Sequence, residues 1–367
     1  MKVAILHSGF TEGNNGAERL CYEVAKMMGA RIFTCSYDEK VNMSYPGIEK
    51  MIVLDPVRHP DSFTWKNFEI MRKMTDREDI DGDIILYSGN LPIFRVRKDR
   101  TPYVYFCHTP ERGLYDMREE LDSRMKKWGF PKYWISRFLL NRRRSMDQNL
   151  FRKIVNPLQV VTNSRLIMKR YENAYGLTPR KAIGAPVDTS KFRYKEPEDF
   201  FFTASGLRFN KRIDWQIRAA ARAGVKLIIA GDGDERDRLE ELSIALRGNV
   251  EFLGQVEERV LLDHYSRCRA FIFSAKDEDF GLVPVEALAS GKPVICVNEG
   301  GPLEYLNHSN SFLYRDVDGL ADILSGKNDP DFISMKENCL KTASYFDVKV
   351  FIKRLRAEMK TIMEEFY

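Results

Sequence analysis

Residues 273–306, FSAKDEDFGLVPVEALASGKPVICVNEGGPLEYL, constrain the fold more than any other stretch of the chain. They read strand, loop, helix, strand, loop, helix. Phe271 to Ala275 is an apolar β run, and three acids, Asp277, Glu278 and Asp279, follow at its carboxyl end. Phe280-Gly281 turns the chain into a helix whose apolar positions Leu282, Val285, Leu288 and Ala289 recur at three- and four-residue spacing. Gly291-Lys292-Pro293 stops that helix, because Gly suits the position after a helix end and Pro cannot extend one. Val294 to Val297 returns as a second buried strand, and Glu299-Gly300-Gly301-Pro302 opens a further helix with Pro near its first position. This alternation predicts an α/β protein whose ligands sit outside the carboxyl ends of parallel strands.

The polar residues of this stretch suggest what such a ligand is. Backbone amides around Gly281 and Leu282 lie at a helix N-terminus, which favours an anion such as a diphosphate. Gly281 also lets backbone approach a ligand closely. Glu278 precedes the helix and Glu286 lies in its second turn, eight positions on. Carboxylates on either side of an anion site suit a ligand that also carries hydroxyls, such as a ribose or hexose. From the spacing alone, the plainer reading, a solvated loop acid and a surface helix acid, is the favoured one.

The full run resembles a known family. EDFGLVPVEALASGKPVI followed by GGPLE is similar to the E-x7-E signature of retaining family-four glycosyltransferases, and the mannosyltransferases among them. The resemblance implies the GT-B architecture of two Rossmann-like domains facing each other across a cleft. It also implies roles. Glu278, with Asp279 and Phe280, would meet the donor sugar, and Glu286 the ribose. The amides of Gly281 and Leu282 would meet the diphosphate.

The rest of the chain is consistent with that size and class. Its 367 residues favour two domains. No uncharged apolar run of membrane-spanning length is present, and MKVAILHSGF reads as a first strand rather than a leader. Six scattered cysteines without a C-x-x-C pair suit buried thiols in a reducing cytoplasm. Five histidines without a clustered Cys/His pattern predict no metal held by the protein.

Taken in order, residues 2–8 form a strand, a Gly/Asn loop runs from Gly9 to Gly16, and AERLCYEVAKMM is an amphipathic helix. The loop lacks the G-x-G-x-x-G dinucleotide spacing. It resembles the family's first strand–helix loop, which would put Gly16 near the diphosphate. RIFTCSY and MIVLD read as strands, Ser62 to Thr75 as a helix, and DIILYSG as another strand. Residues 101–110 are a strand ending in His108-Thr109-Pro110, and the resemblance places His108 against the donor sugar, as a catalytic group together with Glu278. Residues 124–153 differ in kind, with ten Lys or Arg against a single acid, Asp147, in a chain whose overall charge is only +5. Trp128 and Trp134 lie among them. Basic and aromatic residues mixed in this way suit an anionic membrane surface, and no nucleic-acid fold signature accompanies them. An ordinary basic helix pair covering the sheet is the alternative.

Asn163-Ser164 caps the helix that follows LQVVTNS. KAIGAPVDTSKF resembles the family's interdomain segment, so the boundary falls near Ala185. The expected domains are 1–184 on the acceptor side, 185–347 binding the nucleotide sugar, and a terminal helix over 348–367 that packs back on the first. The second half restarts with FFFTASGL and the basic loop Arg208 to Arg212. Arg and Lys at a strand's carboxyl end would neutralise a diphosphate. Lys211 matches the family's lysine, whereas the family's arginine position holds Gly206, with Arg208 as its replacement. Gly231-Asp232-Gly233 resembles the family's glycine turn, and Val256 falls in the loop that would border the nucleotide base.

The expected function is therefore retaining transfer of a hexose, mannose first, from a nucleotide sugar to a glycan or lipid-linked acceptor. The donor is a substrate, and neither a cofactor nor an obligatory metal is expected. The expected place is the cytoplasm, peripheral on the inner face of a membrane. An epimerase or phosphorylase of the same architecture, or a non-catalytic nucleotide- or glycan-binding module, would share these features.

Overall fold

The computed structural model describes residues 1–10, 16–35, 37–38, 45, 51–53, 72–73, 80–97, 100–127, 129–326 and 329–367. The helix expected over 62–75 lies outside them except for the helical pair 72–73, as do residues 11–15 of the first loop and Trp128. The chain forms two compact units, Met1–Ala185 with Ile352–Tyr367, and Pro186–Phe351.

The first unit is built on a seven-stranded parallel sheet of order β3-β2-β1-β4-β5-β6-β7. Its strands are β1 (Val3–His7), β2 (Arg31–Thr34), β3 (Met51–Val53), β4 (Ile84–Ser88), β5 (Tyr103–Cys107), β6 (Val160–Thr162) and β7 (Lys181–Ala182). VAILH, IILYS and YVYFC are buried at every position, as strands covered on both faces must be. The helices are α1 (Gly16–Met28), α2 (Arg118–Lys126), α3 (Lys132–Lys153) and α4 (Arg165–Tyr175). Ser164 caps α4 by accepting from the Ile167 amide, and Gly176 ends it in the left-handed region. Helix α3 is tied inward by Asp147, whose Oδ2 accepts from the hydroxyls of Tyr115 at 2.6 Å and Tyr175 at 2.8 Å. Burial pushes the Asp147 carboxyl above its ordinary range, against the pull of those two donors.

The second unit holds a six-stranded parallel sheet of order β10-β9-β8-β11-β12-β13. Its strands are β8 (Phe201–Ala204), β9 (Leu227–Ala230), β10 (Val250–Gly254), β11 (Phe271–Phe273), β12 (Val294–Val297) and β13 (Ser311–Tyr314). Helices α5 (Ile213–Ala223), α6 (Arg236–Ala245), α7 (Glu258–Arg267) and α8 (Leu282–Ala289) alternate with them. Helices α9 (Val317–Gly326), α10 (Asp329–Ile333), α11 (Lys336–Ser344) and α12 (Val348–Phe366) follow. Two local readings change. Strand β11 stops at Phe273, because the Ser274 hydroxyl turns to the carbonyls of Lys211 and Arg212. The helix expected after Gly300 is a single 3-10 turn, Gly301–Glu304, since Tyr305 leaves helical geometry.

Most of α12 belongs to the first unit. Arg180 reaches Glu358 at 2.9 Å and Glu365 at 2.8 Å, and Lys181 reaches Glu358 at 2.5 Å. Burial alone would raise the Glu358 carboxyl, but hydrogen bonds from Lys181 and Arg180 outweigh it and hold the group below its ordinary range. All six cysteines are buried free thiols.

Candidate functional site

In both sheets the strand order reverses once, and open α/β sheets bind ligands outside the carboxyl ends of the strands at such a point. In the second unit the reversal lies between β8 and β11. The loops leaving those two strands carry Lys211 and Glu278. Lys211 Nζ lies 2.7 Å from Glu278 Oε2, and each side chain is about a quarter exposed. The pair is therefore accessible, with charge to offer an incoming ligand.

The backbone around it is held by three sets of contacts. Ser274 Oγ donates toward the carbonyls of Lys211 and Arg212 at 2.7 and 3.0 Å, and Gln216 donates to Ser274 at 2.7 Å. The Lys276 amide donates to the Asn210 carbonyl at 2.8 Å. Arg212, at φ 49°, lays its guanidinium 4.7 Å over the Trp215 ring and pairs with Glu299 at 2.8 Å. Glu299 also accepts from the Asp277 amide at 3.2 Å. The loop after β12 locks the acidic loop from its other side. The Gly301 amide donates to the Glu278 carbonyl at 2.7 Å. A Cβ on Gly301 would stand 2.1 Å from the Asp279 carbonyl oxygen, so only glycine allows this approach.

Gly281, at φ 83°, is the N-cap of α8, and the Tyr305 hydroxyl donates to the Phe280 and Gly281 carbonyls at 2.9 and 2.7 Å. The Leu282 amide begins α8, so the positive end of that helix faces the same loop. Glu286 is buried rather than on the surface, and accepts from the Tyr265 hydroxyl at 3.0 Å. Asp279 is half-buried and Phe280 buried in the same loop. Behind β8, the glycine turn after β9 is equally cramped: a Cβ on Gly231 would lie 1.9 Å from the Ser205 carbonyl oxygen. Arg208 is exposed at the start of the basic loop, and Val256 is half-buried in the loop after β10.

In the first unit the order reverses between β1 and β4. His7 and Ser88 are the last residues of those strands, and His108 follows the end of β5 beside them. Ser88 Oγ lies 2.8 Å from His108 Nε2 and 3.1 Å from His7 Nδ1. Burial pushes the His108 imidazole down to about 3, aided by His7, and pushes His7 down to about 4. Both rings are thus neutral at physiological pH. Thr109 Oγ1 is buried without a hydrogen-bond partner among the described residues. Gly16 is the first residue of α1, on the loop that leaves β1.

Lys211, Glu278, Gly281 and Glu286 thus fall in one unit, on adjacent strand ends and the helix between them, while His108 and Gly16 fall in the other. Sequence reasoning did not single out His7, Ser88, Arg212, Glu299, Tyr265 or Tyr305. The carboxyl-end rule could have flagged His7, Ser88 and Glu299, which all stand at or just past strand ends. Among the described residues, no group of three His, Cys, Asp or Glu is arranged to hold a metal ion.

Residues 187–322 match the family of glycosyl transferases group 1. An uncharacterized glycosyltransferase of Methanocaldococcus jannaschii is 26% identical, over 76% of this chain and 74% of that protein. The human alpha-1,3/1,6-mannosyltransferase ALG2 is 25% identical over 60% of this chain, which spans 58% of that protein's length. Among solved structures, Anabaena HepE in complex with UDP and glucose superposes with a TM-score of 0.75 at 19% identity, covering 98% of this chain and 99% of that one. That likeness gives the fold, two parallel-sheet units of the GT-B type.

Proposed function

We propose, from the match of residues 187–322 to the family of glycosyl transferases group 1, that this chain transfers a hexose from a nucleoside-diphosphate sugar to a hydroxyl of a glycan or lipid-linked acceptor, with retention at the anomeric carbon. The observation that carries this reading is the Lys211–Glu278 pair at the strand-order reversal, beside the N-terminus of α8. It puts a cation, helix amides and carboxylates within one set of adjoining loops.

In the proposed reaction, the bond from the sugar's C1 to the β-phosphate oxygen breaks, and its electron pair leaves with the diphosphate. The acceptor oxygen bonds to C1 on the same face, and its proton passes to the departing phosphate. Lys211, the Gly281 and Leu282 amides and Arg208 stabilise the charge that grows on that phosphate. Glu286, already an acceptor for the Tyr265 hydroxyl, takes the ribose hydroxyls, and Val256 borders the base. Glu278, Asp279 and Phe280 meet the sugar, with His108 contributing a neutral ring. Gly16 lies by the diphosphate. Side chains and amides supply the positive charge, so no metal is assigned to the step.

Mannose from GDP-mannose is the first choice of donor, supported by the mannosyltransferase among the relatives. UDP-sugars come next, since HepE was solved with UDP and glucose. The protein works at the cytoplasmic face of a membrane, docked through residues 124–153. Support for docking comes from α3 and the turn before it, where Phe130, Trp134, Ile135, Phe138 and Leu139 are all exposed among Lys132, Arg137 and Arg142. Among the described residues no helix is long and apolar enough to cross a membrane.

The test is release of nucleoside diphosphate from a panel of GDP- and UDP-sugars, with and without mannosyl and lipid-phosphate acceptors, and with EDTA throughout. One donor is expected to give acceptor-dependent release, with the product's anomeric configuration kept by NMR. Donor conversion without an acceptor would favour an epimerase instead. The absence of both turnover and thermal stabilisation with every nucleotide sugar would sink the reading.

A further inference from the structure

We propose that Ser88 is a positioning residue that fixes the tautomer of His108, so that His108 carries its single proton on Nδ1 and presents that N–H to its ligand. The argument needs only the hydrogen-bonding capacity of three residues, His7, Ser88 and His108, at the ends of β1, β4 and β5. A serine hydroxyl has one proton to give and can accept on its oxygen. Two imidazole nitrogens compete for that proton, His7 Nδ1 at 3.1 Å and His108 Nε2 at 2.8 Å.

His7 decides the competition. Its Nδ1 also lies 3.2 Å from the Ser88 carbonyl oxygen, which can only accept. An unprotonated Nδ1 would set one lone pair against another in a buried place. His7 therefore holds its proton on Nδ1, shared between the carbonyl and the hydroxyl oxygen of Ser88. The Gly9 carbonyl is a weaker backbone partner of the same ring. With the His7 N–H directed at its oxygen, Ser88 gives its own proton to His108 Nε2, the nearer of the two nitrogens.

His108 Nε2 is thereby used as an acceptor on the buried side. Because the ring is neutral, its proton sits on Nδ1, and which nitrogen is protonated follows from the bond the other one makes. His108 is half-buried, whereas Ser88 is fully enclosed. The ring thus acts as a fixed hydrogen-bond donor and is not available as a proton acceptor on its Nδ1 side. It would recognise an oxygen acceptor, such as a sugar hydroxyl or ring oxygen. This deepens the proposed function, because it rests on the reading that His108 meets the donor sugar.

The experiment has a readout that does not need turnover. With five histidines in the chain, each ring can be assigned by substitution in 15N-labelled protein. Two-bond 1H–15N correlation spectra then report which nitrogen carries the proton. His108 in the unsubstituted protein is expected to show a protonated Nδ1 and a bare Nε2 between pH 6 and 8. Ser88→Ala should release the lock and shift His108 toward the Nε2–H form, and Ser88→Thr, which keeps the hydroxyl, should restore the original pattern. With the donor that the release assay selects, Ser88→Ala should raise KM for that donor by roughly tenfold, with a smaller change in kcat. A proton on Nε2 of His108 in the unsubstituted protein overturns the proposal, as does an unchanged pattern in Ser88→Ala. If no nucleotide sugar is turned over but the Nδ1 proton is found, the tautomer assignment stands and the glycosyltransferase reading falls.

Discussion

Lys211 shows how much of the candidate site depends on one side chain. Its ammonium is the partner of Glu278 in the structure, and the same charge is assigned to a leaving diphosphate in the proposed reaction. Replacing it with alanine removes a preorganised cation while leaving Ser274 and Asn210 to hold the loop by backbone contacts. Lys211→Ala is expected to lower kcat/KM for the donor by about 10²–10³-fold, the usual cost of one such charge-stabilising group. Thermal stability should change little, because both members of the pair are partly exposed and such pairs contribute on the order of 0–1 kcal/mol. Steady-state kinetics beside a melting curve check both halves; a large drop in melting temperature would make Lys211 a structural residue instead.

At the scale of elements, helix α3 is drawn two ways. Its C-terminal part is anchored by Asp147, Leu150 and Phe151, the last stacked on Tyr175 at 4.2 Å. Its N-terminal part is exposed, with Phe130 before it 84% accessible, and with Trp134 57% and Phe138 63% accessible about one turn apart on one side. Isolated apolar residues on a surface are ordinary, but a row of them among basic side chains suits an anionic bilayer. Replacing Trp134 and Phe138 together with glutamate is expected to weaken binding to phosphatidylglycerol vesicles at least tenfold, since each inserted aromatic contributes about 1.5–3 kcal/mol. Sedimentation with vesicles checks it, and phosphatidylcholine vesicles should bind neither form. The melting temperature should hold, because neither side chain is in the core.

Elements were also the level at which the sequence was most readable. Parallel strands buried on both faces are continuous apolar runs, so β1, β4, β5, β8 and β12 stand out in the sequence. Helix α12 was legible to the residue, from Val348 to Phe366, through its periodicity. Strand β7 was not, being two residues, the exposed Lys181 and the half-buried Ala182, held by pairing with β6. The site divides in the same way. Lys211, Glu278, Gly281 and Glu286 stand out through local spacing and resemblance. The Ser88 contacts to His7 and His108 do not, because His7 and Ser88 are 81 residues apart and become neighbours only through strand order. The Arg212–Glu299 pair, 87 residues apart, was hidden for the same reason.

For the whole molecule, acid is the expected weakness, and it falls on the first unit. His7 and His108 are held neutral, down to about 4 and about 3, against an ordinary value of 6.5. Below that ordinary value the unfolded chain takes up protons on both rings and the folded chain does not, so unfolding is favoured as pH falls from about 6.5 toward 4. Glu358 adds in the same direction: its carboxyl is held low by Lys181 and Arg180, so its contribution is present at neutral pH and lost on acidification. Asp147 and Glu111 oppose them, because burial raises both carboxyls and makes their ionised forms costly at neutral pH. The two histidine shifts are the large ones, so the melting temperature is expected to fall between pH 6.5 and 4, and His7→Asn should flatten that slope. Calorimetry across pH checks it, and a flat profile would contradict the buried neutral rings.

The second unit enters and leaves through one doorway. Its first strand-like residue, Val187, gives its amide to Phe346 at 2.9 Å and takes the amide of Val348 at 3.0 Å, so the two ends of this unit, Pro186–Phe351, are stitched to each other. A segment whose termini already meet can be exchanged for the equivalent segment of a relative without a designed linker. The residues proposed to meet the nucleotide, Lys211 and Glu286, would then be inherited apart from His108, by recombination at a single pair of backbone bonds.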